Sequence, residues 1–191
     1  MVSLDAWGRC PSLLTSFRDC PEINPKGLVP VVEHHNHALN ESTVIGEFFE
    51  DAFPSHTPHL LPSDAHKRAH VRIWIDHISK NVVPAFFRLV AAQEPEKQKA
   101  GLEEVYAALK PLAEQIKGPY FLGEEFSLLD ITIAPFVARD YLIADYRGFE
   151  RGQVSAKWQE YADHVEKRES VVQTMSVSIG VAHTLGYNIN D

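Results

Sequence analysis

A proline set between valines constrains this chain more than any other residue. The run Leu28-Val29-Pro30-Val31-Val32 is apolar and rich in β-branched side chains, the composition of a half-buried strand. Proline has no N–H to give to a ladder, so Pro30 argues against a central strand. A cis Val29-Pro30 bond accounts for its place, because the bent backbone turns the N–H and C=O of Val29 outward instead of toward a neighbouring strand. An exposed donor and acceptor pair is what an extended peptide needs to dock as an added strand. The turn His34 to His37 follows, then a second short strand at Ala38-Leu39. Glu41-Ser42 opens a helix whose apolar residues Val44, Ile45, Phe48 and Phe49 form one stripe. The start of that helix offers free N–H groups and the positive end of a dipole, so it favours a carboxylate. Two peptide-binding devices therefore stand within about fifteen residues, and a small acidic peptide can span both. Each device also has a plainer reading, as an edge-strand breaker and as an ordinary helix start.

NPKGLVPVVE followed by ESTVIGEFFEDAFP resembles the glutathione-binding half of the thioredoxin-like domain in cytosolic glutathione transferases. The resemblance is nearest to the omega-like class, its fungal branch in particular, and covers residues 24–175. Together the two motifs are specific, although either alone is weak. The resemblance implies that Val29, before the cis-proline Pro30, pairs with the cysteinyl part of glutathione. It implies that Glu41 and Ser42 hold the γ-glutamyl end. Glutathione is then the co-substrate, a small-molecule electrophile its acceptor, and the protein a homodimer.

Histidines invite a metal reading at two places. His34, His35 and His37 lie in the hairpin turn, and His66 and His70 are four residues apart on a helix. No carboxylate or cysteine completes either set nearby, so both groups are read as solvated and no metal is expected.

A length of 191 residues permits one large domain or two small ones. Hydrophobic residues at 45% and charged residues at 23% are ordinary for a packed globular chain. A net charge of −8 argues against nucleic acid or an anionic membrane as partner. Two cysteines, Cys10 and Cys20, make no secreted disulfide framework. No apolar run approaches the ~20 residues of a membrane span, and the first residues carry no secretory pattern. A cytoplasmic location is the default expectation.

Residues 1–23 fit the family pattern poorly. A strand, helix and parallel strand take roughly 30 residues or more, whereas 27 residues precede Leu28 and include Pro11, Pro21 and Pro25. The segment 12–17 supplies at most one short helix. In omega-like transferases a Cys-Pro pair begins the first helix and carries the catalytic cysteine. Cys10-Pro11 has those letters but stands only 20 residues before Pro30. Cys10 is accordingly a weak candidate nucleophile, and the catalytic residue stays unassigned. Ordinary thiols at Cys10 and Cys20 are the preferred reading. A start placed downstream of its natural position would explain the same shortage.

Residues 52–62, with three prolines and no period, read as a linker. A helix over residues 63–93 is expected next, capped by Ser63 and bent at Pro84. Its inward residues are expected to be Ile73, Trp74, Ile78, Val82, Phe86, Phe87 and Val90. A second helix starts at Pro95 and ends at Lys117-Gly118, with Pro111 implying a kink or break. Ser127 and Asp130 form an S-x-x-D capping box, with Phe126 placed to staple onto Ile131. This resembles the buried cap that nucleates the central helix of the transferase helical domain, so its role is folding. That helix is expected to reach Asp145, with Ile131, Ile133, Ala134, Val137, Tyr141 and Leu142 inward. Residues 155–168 and 169–175 read as two further helices.

The expected fold is α+β and mostly helical: a partial thioredoxin-like β-hairpin plus helix, then an all-α C-terminal glutathione-transferase domain. The expected divisions are 1–53 for the shortened glutathione-binding half, 54–62 for the linker, 63–178 for the helical domain and 179–191 for a tail. Two functions fit. One is an enzyme that transfers glutathione to a small apolar electrophile, or reduces with it, with Trp74 and His77 as the wall for that co-substrate. Trp74 fits a core or dimer-interface residue equally well. Fungal relatives of this kind often accompany secondary-metabolite pathways. The other function is a non-catalytic binding or scaffold protein that keeps part of the glutathione site and has lost the catalytic cysteine.

Overall fold

A computed structural model describes Gly27 and residues 29–174. Cys10, Cys20, the short helix expected at 12–17, Leu28 and the tail lie outside the described residues. The chain divides into two compact units that part after His59. The described part is mostly helical, with one small antiparallel sheet of two strands.

In the first unit, β1 (Val31–His34) pairs with β2 (His37–Asn40) in the register Val31↔Asn40 to His34↔His37. The strand thus begins after Pro30, where a full set of N–H donors resumes. His35 and Asn36 make the two-residue turn with φ of 49° and 64°. Two successive left-handed residues match the twist of the flanking strands. Helix α1 (Ser42–Ala52) follows and buries Ile45. His34 is not a solvated turn residue. Its ring meets Phe48 and Phe53 edge-on at 5.2 and 5.9 Å, which gives the hairpin an apolar face on α1.

Among its described residues the second unit is helical: α2 (Ala65–His77), a π-helical turn (Ile78–Val82), α3 (Val83–Ala91), α4 (Pro95–Gln115), α5 (Leu128–Val137), α6 (Tyr141–Arg147), α7 (Arg151–Val154), α8 (Ala156–Lys167) and α9 (Glu169–Thr174). Asp64, not Ser63, caps α2, its Oδ1 accepting from the Lys67 N–H at 2.8 Å. The bend expected at Pro84 takes the form of the π turn just before it, closed by a bond from the Val83 N–H to the Ile78 carbonyl. Val71, Ile75, Ile78, Val82, Phe86 and Leu89 face the core. Ile73 is 65% exposed, because it stands two residues from both Val71 and Ile75 and so points to the opposite side. Phe87 is also exposed, although its ring reaches Phe86 and Phe136.

Helix α4 runs on through Pro111 without a break. Gly101 lets it approach α3 closely, since a Cβ there would lie 3.3 Å from the Leu89 Cα. The central helix does not reach Asp145. After Val137 the bonds tighten to i−3, from Arg139 to Phe136 and from Asp140 to Val137, and a separate α6 begins. Tyr141 turns outward as a result, and Ile131 is exposed at 39%. The expected staple onto Ile131 is replaced: Phe126 packs on Tyr120, with the Arg168 guanidinium 4.0 Å above its ring.

Candidate functional site

The ladder of the hairpin runs outward through Val31 and Asn40, its last pair. One step further along each strand come Pro30 and Glu41, and one more brings Val29 and Ser42. The two devices expected from the sequence therefore leave the same end of one hairpin. The Val29-Pro30 bond is cis, and Val29 is 61% exposed.

Glu41 is the N-cap residue of α1, and its backbone holds φ 72° and ψ 110°. A positive φ costs a side-chain-bearing residue on the order of 1–3 kcal/mol, and such strain gathers at functional sites. The cap makes no side-chain bond to the first turn, so the Glu41 carboxylate does not occupy the N–H groups there. Ser42 is exposed at the first position of the helix. Val29 is thus exposed two residues before β1, and the N–H groups of the first turn of α1 begin at Ser42.

Trp74 and His77 lie in the second unit, on α2, with ring centroids 5.0 Å apart. Trp74 is half-buried against the core. His77 donates from Nε2 to the Ala108 carbonyl at 2.8 Å, and its Nδ1 accepts from Asn81 at 3.2 Å. The Nε2 bond ties α2 to α4, and the Nδ1 contact ties His77 to the π turn that follows it.

Comparison with known proteins gives the site its context. Residues 92–164 match the family model described as glutathione S-transferase, C-terminal domain. Over 173 residues the chain is 31% identical to glutathione S-transferase U25 of Arabidopsis thaliana, covering 90% of this chain and 74% of that protein. This chain belongs to the glutathione S-transferase family. Among solved structures it is similar to glutathione transferase Omega 3C of Trametes versicolor, at 52% identity and a TM-score of 0.83, over 87% of this chain and 71% of that one. It is also similar to rice GST1 solved with glutathione, at 26% identity and a TM-score of 0.77, over 87% and 77% of the two chains. The matched tobacco protein parC, a probable glutathione S-transferase at 31% identity, is covered over 66% of its length by 77% of this chain.

Among the described residues Asp130 is a fully buried carboxylate. One carboxylate oxygen accepts from the Ser127 N–H at 2.7 Å and the Ser127 hydroxyl at 2.6 Å. The other accepts from the Phe121 N–H at 2.9 Å and the Tyr161 hydroxyl at 2.8 Å. Four donors on two oxygens make a dry anion tolerable. Burial, with the charge of Asp130, pushes the Tyr161 phenol well above its usual range. This is the expected capping box extended by two partners that local spacing does not reveal.

A second centre was not legible in the sequence. Arg151 on α7 binds Asp140 through both arms at 2.7 and 3.0 Å, and reaches Asp163 at 2.8 Å and Glu166 at 2.9 Å. Burial raises the Asp140 carboxyl above the usual carboxylate range, with Glu166 and Asp163 adding to the rise against the offsetting pull of Arg151. Another unforeseen cluster is Glu50, His56 and His59. Its signal was present as H-x-x-H after an acidic helix end, but the expectation of no metal weighed only the hairpin and the α2 histidines.

Proposed function

We propose that the chain is a glutathione S-transferase-like protein that binds glutathione and transfers it to, or reduces with it, a small apolar electrophile. The observation that carries this reading is the shared end of the hairpin, where the cis Val29-Pro30 bond and the Glu41-Ser42 helix start lie one and two steps beyond the same ladder pair. In this reading Val29 pairs its main-chain N–H and C=O with the cysteinyl residue. The N–H groups and hydroxyl at Ser42 take the γ-glutamyl carboxylate, and Glu41 takes its ammonium. For conjugation the glutathione sulfur attacks the electrophilic carbon, the leaving group departs with the bonding pair, and the thiol proton passes to solvent. An omega-like fungal assignment is supported by the 52% identity to the Trametes versicolor Omega 3C transferase, and a place in secondary metabolism is part of the proposal that rests on the resemblance alone. The same reading gives a homodimer, a cytoplasmic location and a domain order of 1–53, 54–62, 63–178 and 179–191. No described helix is long and apolar enough to cross a membrane. Trp74 and His77 serve the electrophile, with the half-buried indole as the contact surface and His77 held by Ala108 as its support.

Calorimetric titration of the whole chain with glutathione tests this. A saturable isotherm that Ser42→Ala weakens supports it. No heat at millimolar glutathione overturns it, and binding without turnover of any thiol-reactive electrophile leaves the non-catalytic alternative.

A further inference from the structure

Glu50, in the last turn of α1, holds a charged group in a place that exposes only 7% of its side chain. Each of its oxygens faces a histidine. Oε1 lies 2.8 Å from His56 Nε2, and Oε2 lies 3.8 Å from His59 Nδ1. The chain reaches this position because the backbone turns back after α1, the His56 N–H donating to the Phe53 carbonyl at 3.0 Å. His56 is then oriented by its own ring, as Nδ1 donates to the same Phe53 carbonyl at 2.7 Å. That bond turns Nε2 toward Glu50, where a bound ion would replace the proton shared between Nε2 and the carboxylate. A carbonyl that fixes the tautomer and leaves the other nitrogen toward a shared centre is the usual support of a metal-bound imidazole. The two imidazole rings stand edge to face with centroids 5.2 Å apart, both turned to the same carboxylate.

From these contacts we propose that Glu50, His56 and His59 form a binding site for a divalent transition-metal ion of the zinc class. One ligand atom from each residue lies within 4.8 Å of the other two. Tetrahedral zinc with bonds of about 2.1 Å places its ligand atoms roughly 3.4 Å apart, so small side-chain rotations suffice. Two imidazoles and a carboxylate suit zinc over calcium or magnesium, which prefer oxygen alone. Three protein ligands leave a fourth position for water, and His59, with 54% of its side chain exposed, lies on the open side from which an ion enters. The bound ion ties the turn 53–59 to the end of α1. This site is separate from the residues proposed for glutathione.

The test uses the whole chain without a histidine tag, with Cys10 and Cys20 changed to serine so that thiols do not compete. Zinc chloride titrated by calorimetry should bind one ion per chain at micromolar affinity, and should raise the melting temperature. Cobalt(II) should give the intense visible bands of a four-coordinate nitrogen and oxygen site. His59→Ala changes an exposed side chain and should weaken zinc at least tenfold, with an unaltered circular dichroism spectrum. Glu50→Gln should weaken it as much. Joint replacement of His34, His35 and His37 by alanine should leave the affinity unchanged. Absence of saturable zinc binding at a hundred micromolar overturns the proposal. So does binding that survives His59→Ala and disappears with the hairpin histidines.

Discussion

At Asp130, a carboxylate with no exposure is held by two backbone or hydroxyl donors from Ser127, one N–H from Phe121 and the phenol of Tyr161. Removing one donor to a buried charge costs about 1.5–3 kcal/mol. Tyr161→Phe should therefore destabilise the fold by about 2 kcal/mol, read from the midpoint of urea unfolding. Asp130→Ala strands all four donors and should cost more, roughly 4 kcal/mol, with little effect on glutathione affinity in whatever fraction stays folded. Ser42 belongs to a different balance. It is exposed and bonds nothing in the core, so Ser42→Ala should leave stability within about 0.5 kcal/mol. If it holds a carboxylate, the loss should be roughly tenfold in glutathione affinity, the equivalent of one charge-assisted hydrogen bond. The two substitutions thus separate folding from binding, although Ser-x-x-Asp and Glu-Ser look alike as helix starts.

Among the elements, the contact of α3 with α4 depends on Gly101, which leaves room for the backbone at Leu89. Gly101→Val should push these helices apart and cost about 1–3 kcal/mol in thermal or urea unfolding. The Ser127-Asp130 capping box, the hairpin, and helices α4 and α8 were legible because their signals are local: a side chain and an N–H three residues away, or one apolar stripe. Ser155 caps α8, a role not expected from the sequence, accepting from the Trp158 N–H at 3.0 Å. The break after Val137 and the Arg151 centre were not legible because they depend on residues far apart in sequence. The break after Val137 carries no proline or glycine of its own; Asp140 there meets Arg151, eleven residues later, and Arg151 in turn reaches Asp163 and Glu166. Four-residue α7 is too short to show a period. Arg151→Met should leave the part-buried Asp140 without its cation and cost roughly 2–3 kcal/mol, and the further change Asp140→Asn should recover part of the loss. The orientation of Ile73 was misread because Trp74 beside it drew the stripe one residue off the face set by Val71 and Ile75.

For the molecule as a whole, pH links the buried phenol to stability. The Tyr161 phenol is raised in the folded chain, so the folded state holds its proton where the unfolded state has released it. Stability is then unaffected below the ordinary tyrosine value of about 10 and falls as pH rises beyond it. Urea midpoints at pH 8 and 11 should differ more for the native chain than for Tyr161→Phe, which removes the titrating group. The glutathione reading depends on the first unit, where one hairpin end carries both Val29-Pro30 and Glu41-Ser42. Amide NMR of the whole chain titrated with glutathione tests that most directly. The account predicts that the amides of Val29 and Ser42 shift together along one saturable curve. Saturable shifts confined to residues 60–174, or none at Val29 and Ser42 in millimolar glutathione, would contradict it.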